Sequence, residues 1–330
     1  KHTPVAIYSQ RANKTFFVYG GTTDPTQRHL LCMASYYDHE THRVPQPTVV
    51  HDKAGVNDPH DNPSLAIDAT GHIWVFISGR ARHRPGFKYR SLEPYSIEAF
   101  EPISEEEMTY PQPHWLPRCG FLNLFTKYTG VRELYFEPSL DGRSWTEDRR
   151  LAAIREPGHQ RGGHYQTSAT RGNKLGTFFN RHPDGHPDRR TDVYYLQTTD
   201  GGETWTNGKG QEAVLPLREV ADPARVIDYA TQGLNVYLKD MGFDRRGRPV
   251  FLYVTSRGHE PGPPNDPRIW RLTRWDDQTW HTTEVCRSDH NYDAGSLYLS
   301  DAVWYVVAPT DPGPQSGHAG GEMVVWESVD

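Results

Sequence analysis

Residues 57–91 read NDPHDNPSLAIDATGHIWVFISGRARHRPGFKYRS. A polar loop carrying His60 leads into the short apolar run Pro63–Asp68. The turn Ala69-Thr70-Gly71-His72 follows. A second apolar run, Ile73–Ser78, ends in a loop carrying Arg80, Arg82, His83 and Arg84. Two short apolar runs about a glycine-containing turn signal a β-hairpin. The outer ends of a hairpin emerge on one side. His60 is therefore expected beside a crowd of basic groups, at the open end of one blade of a larger β structure.

The rest of the chain repeats this pattern. Its 330 residues are 35% hydrophobic and 12% aromatic, with 29 glycines and 26 prolines. Mean hydropathy is low, −0.78, but disordered chains lack such aromatic content. No long run has helical apolar spacing. No stretch of about 18 apolar residues is present, so no membrane span is expected. The first residues, KHTPVAIYSQ, are not a signal peptide. Cys32, Cys119 and Cys286 are far apart and odd in number, so no disulfide framework is implied. Cys32 and Cys286 are expected as buried small hydrophobes. Net charge is −6, which argues against nucleic acid as a partner. There is no P-loop or GxGxxG for a nucleotide, and no HxH, HExxH or CxxC for a metal.

Apolar runs of five to eight residues, separated by turn residues, group into blade-like units. PVAIYSQ, TFFVYGG, HLLCMASYYD and PTVVH form the first; the hairpin, FKYRS and 97–103 form the second. HWLPR, FLNLFTKY and RELYFEPS begin a third, YQTSATRG, KLGTFFN and DVYYLQT a fourth, GLNVYLKD, PVFLYVTS and IWRLTRW a fifth. AGSLYLS, VWYVVAP and EMVVWESVD start a sixth. A four-strand repeat of roughly 50 residues is a propeller signature. Thr198-Thr199-Asp200-Gly201-Gly202-Glu203-Thr204-Trp205 fits [ST]-x-D-x-G-x-[ST]-W, the Asp box of neuraminidase-type repeats. Ser139–Trp145 is one residue shorter, and Asp276–Trp280 is degenerate. The carboxylate accepts turn amides, glycine takes φ > 0 and Trp plugs the gap between strands, so these boxes are structural. The chain ends Glu327-Ser328-Val329-Asp330, the first half of another box. We therefore expect an all-β fold, a β-propeller of four-stranded blades forming a single domain over 1–330, from a natural protein longer at one or both ends.

In a four-stranded blade, the loop leading into the first strand and the loop joining the second to the third lie on one face. The former contain Asp58 and His60, Tyr110, His164 and Tyr165, Asp228 and Tyr229, then His290, Tyr292 and Asp293. The latter contain Arg28, then Arg80, Arg82 and His83, then Lys127, Tyr128 and Arg132, then Arg181 and His182, then Arg257, His259 and Glu260. His, Tyr, Arg and acidic groups thus collect on one face. Arg and Lys pair with carboxylates, aromatic rings stack on sugars, and His and Tyr transfer protons. The face suits an anionic sugar.

The segments NDPHDNPSLAID…IWVFISGRARHRPGFKYRS, TYPQP, LFTKYTGVRELYF, GGHYQTS and SDHNYDAGSLY resemble the BNR-4 repeat propellers, over nearly the whole chain. Within that group the chain is similar to bacterial enzymes acting on L-rhamnose-α-1,4-D-glucuronate, the cap of arabinogalactan side chains. These comprise polysaccharide lyase family 42 and the rhamnosidases of glycoside hydrolase family 145, with ulvan lyases as distant relatives. The resemblance implies a seven-bladed propeller, a monomer, periplasmic or secreted, with a uronate-containing oligosaccharide or polysaccharide as partner. No cofactor is called for; a structural divalent metal stays open, and no residue is assigned as its ligand.

The lyase resemblance implies His60 as a first catalytic His. Arg80 stands where relatives carry a second His, with His83 the nearest alternative, and Lys127 stands where they carry Arg. It implies His60 and His83 as the acid–base pair with Tyr128 or Tyr165 assisting. Arg80, Lys127 or Arg132 neutralises the uronate, and His164, Tyr165, His259, His290 and Tyr292 complete the binding face. The rhamnosidase resemblance implies instead one catalytic His on the opposite, posterior face. Gln10 would stand there as a non-catalytic occupant, with His39 and His42 nearby. A glycan-binding propeller without activity is the third reading.

Overall fold

The computed structural model describes residues 3–24, 26, 29–129, 131–260, 263–289, 291–309 and 322–329. They form antiparallel sheets joined by turns and four short 3₁₀ segments, with no α-helix among the described residues. Five sheets have four strands and a sixth has three. The first comprises β1 (Ala6–Ser9), β2 (Lys14–Gly21), β3 (Leu31–Asp38) and β4 (Thr48–Asp52). The second comprises β5 (Pro63–Ile67), β6 (Ile73–Ile77), β7 (Gly86–Ser91) and β8 (Phe100–Glu106). The third comprises β9 (Thr109–Leu116), β10 (Gly120–Tyr128), β11 (Arg132–Ser139) and β12 (Arg149–Ala152). The fourth holds β13 (Gln166–Arg171), β14 (Lys174–Arg181), β15 (Thr191–Thr198) and β16 (Arg225–Ile227). The fifth holds β17 (Asn235–Phe243), β18 (Pro249–Ser256), β19 (Arg268–Trp275) and β20 (Trp280–Ser288). β21 (Ser296–Leu299), β22 (Val303–Pro309) and β23 (Met323–Val329) form the sixth. Each sheet pairs its strands in chain order, the meander expected of a propeller blade.

The chain divides into two compact units, 1–129 with 135–149, and 130–134 with 150–330. In each unit the core lies between successive sheets. Phe16, Val18 and Cys32 of the first sheet meet Leu65, Val75 and Ile77 of the second. Trp74 and Phe76 of the second meet Phe121 and Phe125 of the third. In the other unit Phe178 and Tyr195 meet Phe251 and Tyr253, and Val250, Val254 and Trp270 meet Leu297 and Val306. Middle strands are apolar on both faces because both are covered: β6 (IWVFI) and β18 (PVFLYVTS) are buried throughout.

The hairpin forms as expected. Pro63 pairs with Ile77 and Ile67 with Ile73, so the loops at Asn62 and Ser78 emerge together. Asp68 closes its turn by accepting the amides of Thr70 (2.8 Å) and His72 (3.0 Å) and the Trp74 indole N–H (2.9 Å). The Asp boxes use the same chemistry. Asp141 accepts the amides of Arg143 and Ser144, each at 2.8 Å, and Asp200 accepts that of Thr204 at 3.0 Å. Asp276 accepts those of Gln278 (2.8 Å) and Thr279 (2.7 Å). The third strand pair extends further than the sequence suggested. TYPQP belongs to β9, and its two prolines are tolerated because β9 is the edge of its sheet. Cys32 is buried, but Cys286 is partly exposed, because β20 is an outer strand with one open face.

Gly142 tests the box as a joint. Its φ is +75°, and a Cβ there would lie 2.5 Å from the Trp74 ring of the second sheet. Gly142→Ala is expected to destabilise the fold by about 1–3 kcal/mol. Urea unfolding reads this, and an unchanged midpoint would show that the turn does not couple the sheets.

Candidate active site

In the first unit the loop between β4 and β5 builds a histidine into a network of charges. Asp58-Pro59-His60-Asp61 is a single 3₁₀ turn with Asp58 as its cap. Pro59 presets the first helical φ. Asp58 Oδ1 accepts both the main-chain N–H of His60, at 3.0 Å, and the ring Nδ1–H of His60. With the proton on Nδ1, the imidazole lone pair sits on Nε2. The opposite oxygen of Asp58 takes Arg84 Nη2 at 2.5 Å. Burial opposes ionisation of Asp58, but His60 and Arg84 outweigh it and hold the carboxyl far below its usual range.

Asp61, next in the turn, is fully buried. Lys53 Nζ lies 3.0 Å from Oδ2. Arg84 donates Nε to Oδ2 (3.2 Å) and Nη2 to Oδ1 (2.9 Å). The Asp61 bonds also hold Arg84 charged. Lys53 donates further to the carbonyls of Ser78 (3.2 Å) and Pro85 (3.1 Å). The hairpin from Arg80 to Arg84 closes on itself through Arg80 N–H to Arg84 O, 2.8 Å. A side chain at Gly79 would strike Arg84 O at 2.2 Å.

Beside His60 stands Tyr110, at a ring separation of 5.9 Å. Its φ is +54°, a region that a bulky non-glycine residue occupies only under constraint. The constraint is visible: its amide donates to the buried Ser78 Oγ at 3.0 Å. Arg80 Nη1 reaches the Tyr110 hydroxyl at 3.5 Å. His60, Tyr110 and Arg80 thus form one group. His60 is partly exposed at its side chain, 44%, so solvent reaches the group there, while Tyr110 is buried.

The other expected residues of this unit stand differently. His83 is exposed and lines a cleft of about 250 Å³ with His51, Lys53, Arg84 and Phe87; His60 is not among its walls. Lys127 is turned onto Asp148, 2.6 Å away. The Tyr128 amide donates to Glu107 Oε1 at 3.2 Å, and Arg82 reaches the other oxygen of Glu107 at 3.6 Å. Gln10 lies in the turn between β1 and β2, as expected, and its carbonyl accepts the Asn13 amide at 3.4 Å.

The second unit carries an aromatic and cationic cluster. The Arg190 guanidinium lies over three rings: Tyr237 (4.4 Å), Tyr165 (4.9 Å) and Tyr292 (5.7 Å). Arg132 lies 5.7 Å from the Tyr165 ring on its own account. Tyr165 meets His182 edge-on at 4.7 Å. His182 is 1% exposed, and neither ring nitrogen has a hydrogen-bond partner among the described residues. Burial first, then the charges of Arg190 and Arg132, hold it neutral. Sequence reading grouped His182 with the face but gave the binding role to His164. His164 is fully buried. Its Nδ1 donates to Asn180 O (2.9 Å) and its Nε2 accepts the Ile154 amide (3.0 Å). Both nitrogens are committed to main chain, so this histidine braces the loop that presents Tyr165.

Tyr292 is half exposed. Lys239, buried, clamps its loop through the carbonyls of Asn291 and Asp293, each at 2.6 Å. Asn291 ties the same loop to Gly258 O at 2.8 Å, beside the exposed His259. His290 lies outside the described residues. Among the described residues no group of three or more His, Cys, Asp or Glu is placed to hold a metal.

The sequence profile of the BNR repeat-containing family matches residues 31–288. Among curated proteins none matches the sequence. The structure is similar to that of a PL25 ulvan lyase bound to -[GlcA(1-4)Rha3S]-, with TM-score 0.81 and 18% identity, covering 100% of this chain and 80% of that one. It is similar to polysaccharide lyase Uly1, with TM-score 0.67 and 13% identity, covering 99% and 89%. At these identities the likeness is one of fold, and the fold is a β-propeller.

The bracing role of His164 has a pH signature. Burial lowers its pKa from the ordinary 6.5 to about 4. The unfolded chain therefore binds more protons below neutrality, and stability falls as pH drops from 6.5 toward 4. Its share of that loss between about pH 7 and about pH 5 is on the order of 2 kcal/mol. His164→Gln is expected to start less stable at pH 7 and to lose less on acidification. Equal slopes of stability against pH in the two proteins would remove this role.

Proposed function

Because the chain belongs to the BNR repeat-containing family, we propose that it is a carbohydrate-active propeller, a polysaccharide lyase that cleaves at a 4-linked glucuronate. The observation that carries this is the His60, Tyr110 and Arg80 group, with His60 oriented by Asp58. β-Elimination needs three things: a cation against the uronate carboxylate, a base for the C5 proton, and an acid for the oxygen leaving C4. Without the cation the C5 proton is too weakly acidic to remove. Arg80 supplies it, as a guanidinium that binds carboxylates bidentately. His60 takes the C5 proton on Nε2, and Asp58 stabilises the imidazolium that forms. The C5–H electron pair becomes the C4=C5 double bond, the C4–O bond breaks, and Tyr110 gives its proton to the departing oxygen. The products are a 4,5-unsaturated uronate and a free hydroxyl on the leaving sugar.

Tyr110 takes the place that sequence reading gave to His83, with Tyr128 or Tyr165 assisting, because it is the proton donor packed against His60. Arg80 is preferred over Lys127, whose ammonium already faces Asp148. In the second unit, the Tyr165, Arg190 and Tyr292 cluster by itself suits a sugar held by aromatic faces and a cation. The linkage we favour is L-rhamnose-α-1,4-D-glucuronate of arabinogalactan-type glycans, acted on outside the cytoplasm. In support, the saccharide bound to the similar PL25 enzyme also combines glucuronate with rhamnose.

His60→Ala is expected to fold normally and to lose about 10²–10⁴-fold in rate. Tyr110→Phe is expected to lose a comparable factor, and His83→Ala to stay within about threefold of the parent, since proton transfer is not assigned to it. Mass spectrometry of the products checks the reaction class. Elimination gives a uronate end one water lighter than hydrolysis gives. A folded His60→Ala protein with full activity would sink the assignment.

A further inference from the structure

The second and third sheets enclose a lysine that the proposed chemistry does not use. Lys88, on β7, is fully buried. Its ammonium lies 2.6 Å from Glu106 Oε1 on β8 and 2.8 Å from Glu137 Oε1 on β11. It also lies 3.6 Å from the centre of the Trp145 ring. Glu137 is the inner carboxylate, 2% exposed, and its Oε1 accepts Asn123 Nδ2 at 2.8 Å. Glu106 is the outer one. Its side chain is 27% exposed and accepts Ser104 Oγ at 3.1 Å.

The charges of this cluster do not cancel. Two carboxylates share one ammonium, where an uncompensated buried charge is costly. Such a group takes up a proton. The charged side chains around it bring no spare cation among the described residues. Arg143 is engaged by Glu101 at 2.5 Å, Lys127 by Asp148 at 2.6 Å, and Glu147 adds a further acid to the rim. Burial raises the Glu137 carboxyl first; Lys88 pulls it down, Glu106 raises it again, and the balance stands at about 7.

The outer carboxylate is joined to the reacting group. Glu106 ends β8, and Glu107 and Met108 link it to Thr109 at the start of β9. Each residue of the link is tied to the loops of the candidate site. Glu107 Oε1 accepts the Tyr128 amide at 3.2 Å, and Met108 O accepts the Gly79 amide at 2.7 Å. Thr109 Oγ1 accepts the Ala81 amide at 3.4 Å, and the Tyr110 amide donates to Ser78 Oγ at 3.0 Å. Glu106 is thus the fixed point from which the chain runs to Tyr110 and to the loop of Arg80. Beside Glu106 lies a cleft of about 290 Å³, walled also by Ser104, Arg143 and Trp145. It gives the Glu106 side chain somewhere to go.

We propose that Lys88 is a positioning residue at the centre of a pH-sensitive clamp: it grips Glu106, and through the link Tyr110, while Glu137 is neutral, and it releases Glu106 into the cleft when Glu137 is charged. The inner carboxylate cannot leave, so repulsion between the two moves the outer one. That the clamp serves catalysis rests on the elimination assigned above.

Hydrogen exchange at the amides of Gly79 and Tyr110, corrected for the intrinsic effect of pH, tests the clamp. Between pH 6 and pH 8 the parent should lose about tenfold in protection, and Glu137→Gln should change by less than about twofold. Glu106→Gln leaves Lys88 paired with Glu137 and is expected to fold, with low protection at both pH values. Stability has a matching sign. The folded carboxyl binds its proton more tightly than the unfolded one, so its contribution is full below about pH 4.5 and lost as pH rises to about 7. The urea midpoint of the parent, relative to that of Glu137→Gln, should fall across that window. The parent's kcat should also decline more steeply above pH 7 than that of Glu137→Gln, with KM unchanged. Protection that falls as steeply in Glu137→Gln as in the parent would overturn the clamp, and so would parent-like protection in Glu106→Gln at pH 6. Exchange needs no substrate. A parent with pH-dependent protection and no unsaturated product therefore counts against the reaction alone.

Discussion

The candidate site depends on one buried carboxylate. Asp61 is withdrawn from solvent and held by two cations from different loops, Lys53 and Arg84. Removing one partner of such a cluster leaves an unpaired buried charge, which is strongly destabilising. The arrangement therefore fixes the loop before β5 against the loop after β6. Its neighbour Asp58 uses the same arginine and passes the constraint on to His60, at both amide and ring. A single turn of chain thus carries charge compensation at Asp61 and a defined imidazole tautomer at His60, the residue before it. The buried end is rigid, and the ring at its tip meets solvent.

The second unit solves a similar problem with aromatic rings. Arg190 is ringed by tyrosines, and His182 is kept neutral by burial and by surrounding positive charge. The partly buried guanidinium of Arg190 and the neutral, buried His182 thus share one aromatic surround. The Asp boxes contribute nothing chemical to either cluster. Their carboxylates accept amides of their own turns, and Trp145 and Trp205 pack into the structure behind them. They let loops at the other strand ends diverge while the sheets stay in register.

Much of the fold was legible because its determinants are local. Apolar runs of strand length, Asp-Gly turns and box tryptophans fix the strands without reference to distant residues, and five complete sheets and a three-stranded sixth appear where those signals place them. His60 and Arg80 were legible for the same reason, as loop residues at the mouth of a recognisable hairpin. What was hidden depends on tertiary contact. Arg84 looked like one of several basic loop residues, and only its approach to Asp58 and Asp61 sets it apart. His164 looked like a ligand because it sits in a polar loop, yet main-chain groups of Ile154 and Asn180 consume its nitrogens. Tyr110 carried no backbone signal, since its positive φ is imposed by Ser78, 32 residues earlier in the chain. Cys286 read as core by analogy with Cys32, but its strand is an outer one with an open face.

The claim at the centre of this account is that Asp58 makes His60 a base toward a uronate. The most direct measurement is the ultraviolet absorbance of the conjugated unsaturated uronate, followed during incubation with a polysaccharide of glucuronate and rhamnose, for the parent and for Asp58→Asn. The account predicts a steady rise for the parent. It predicts a folded Asp58→Asn protein slower by about 10²-fold or more, because the amide no longer stabilises the imidazolium. A folded Asp58→Asn protein as fast as the parent would contradict it, and so would cleavage by the parent that leaves every uronate saturated.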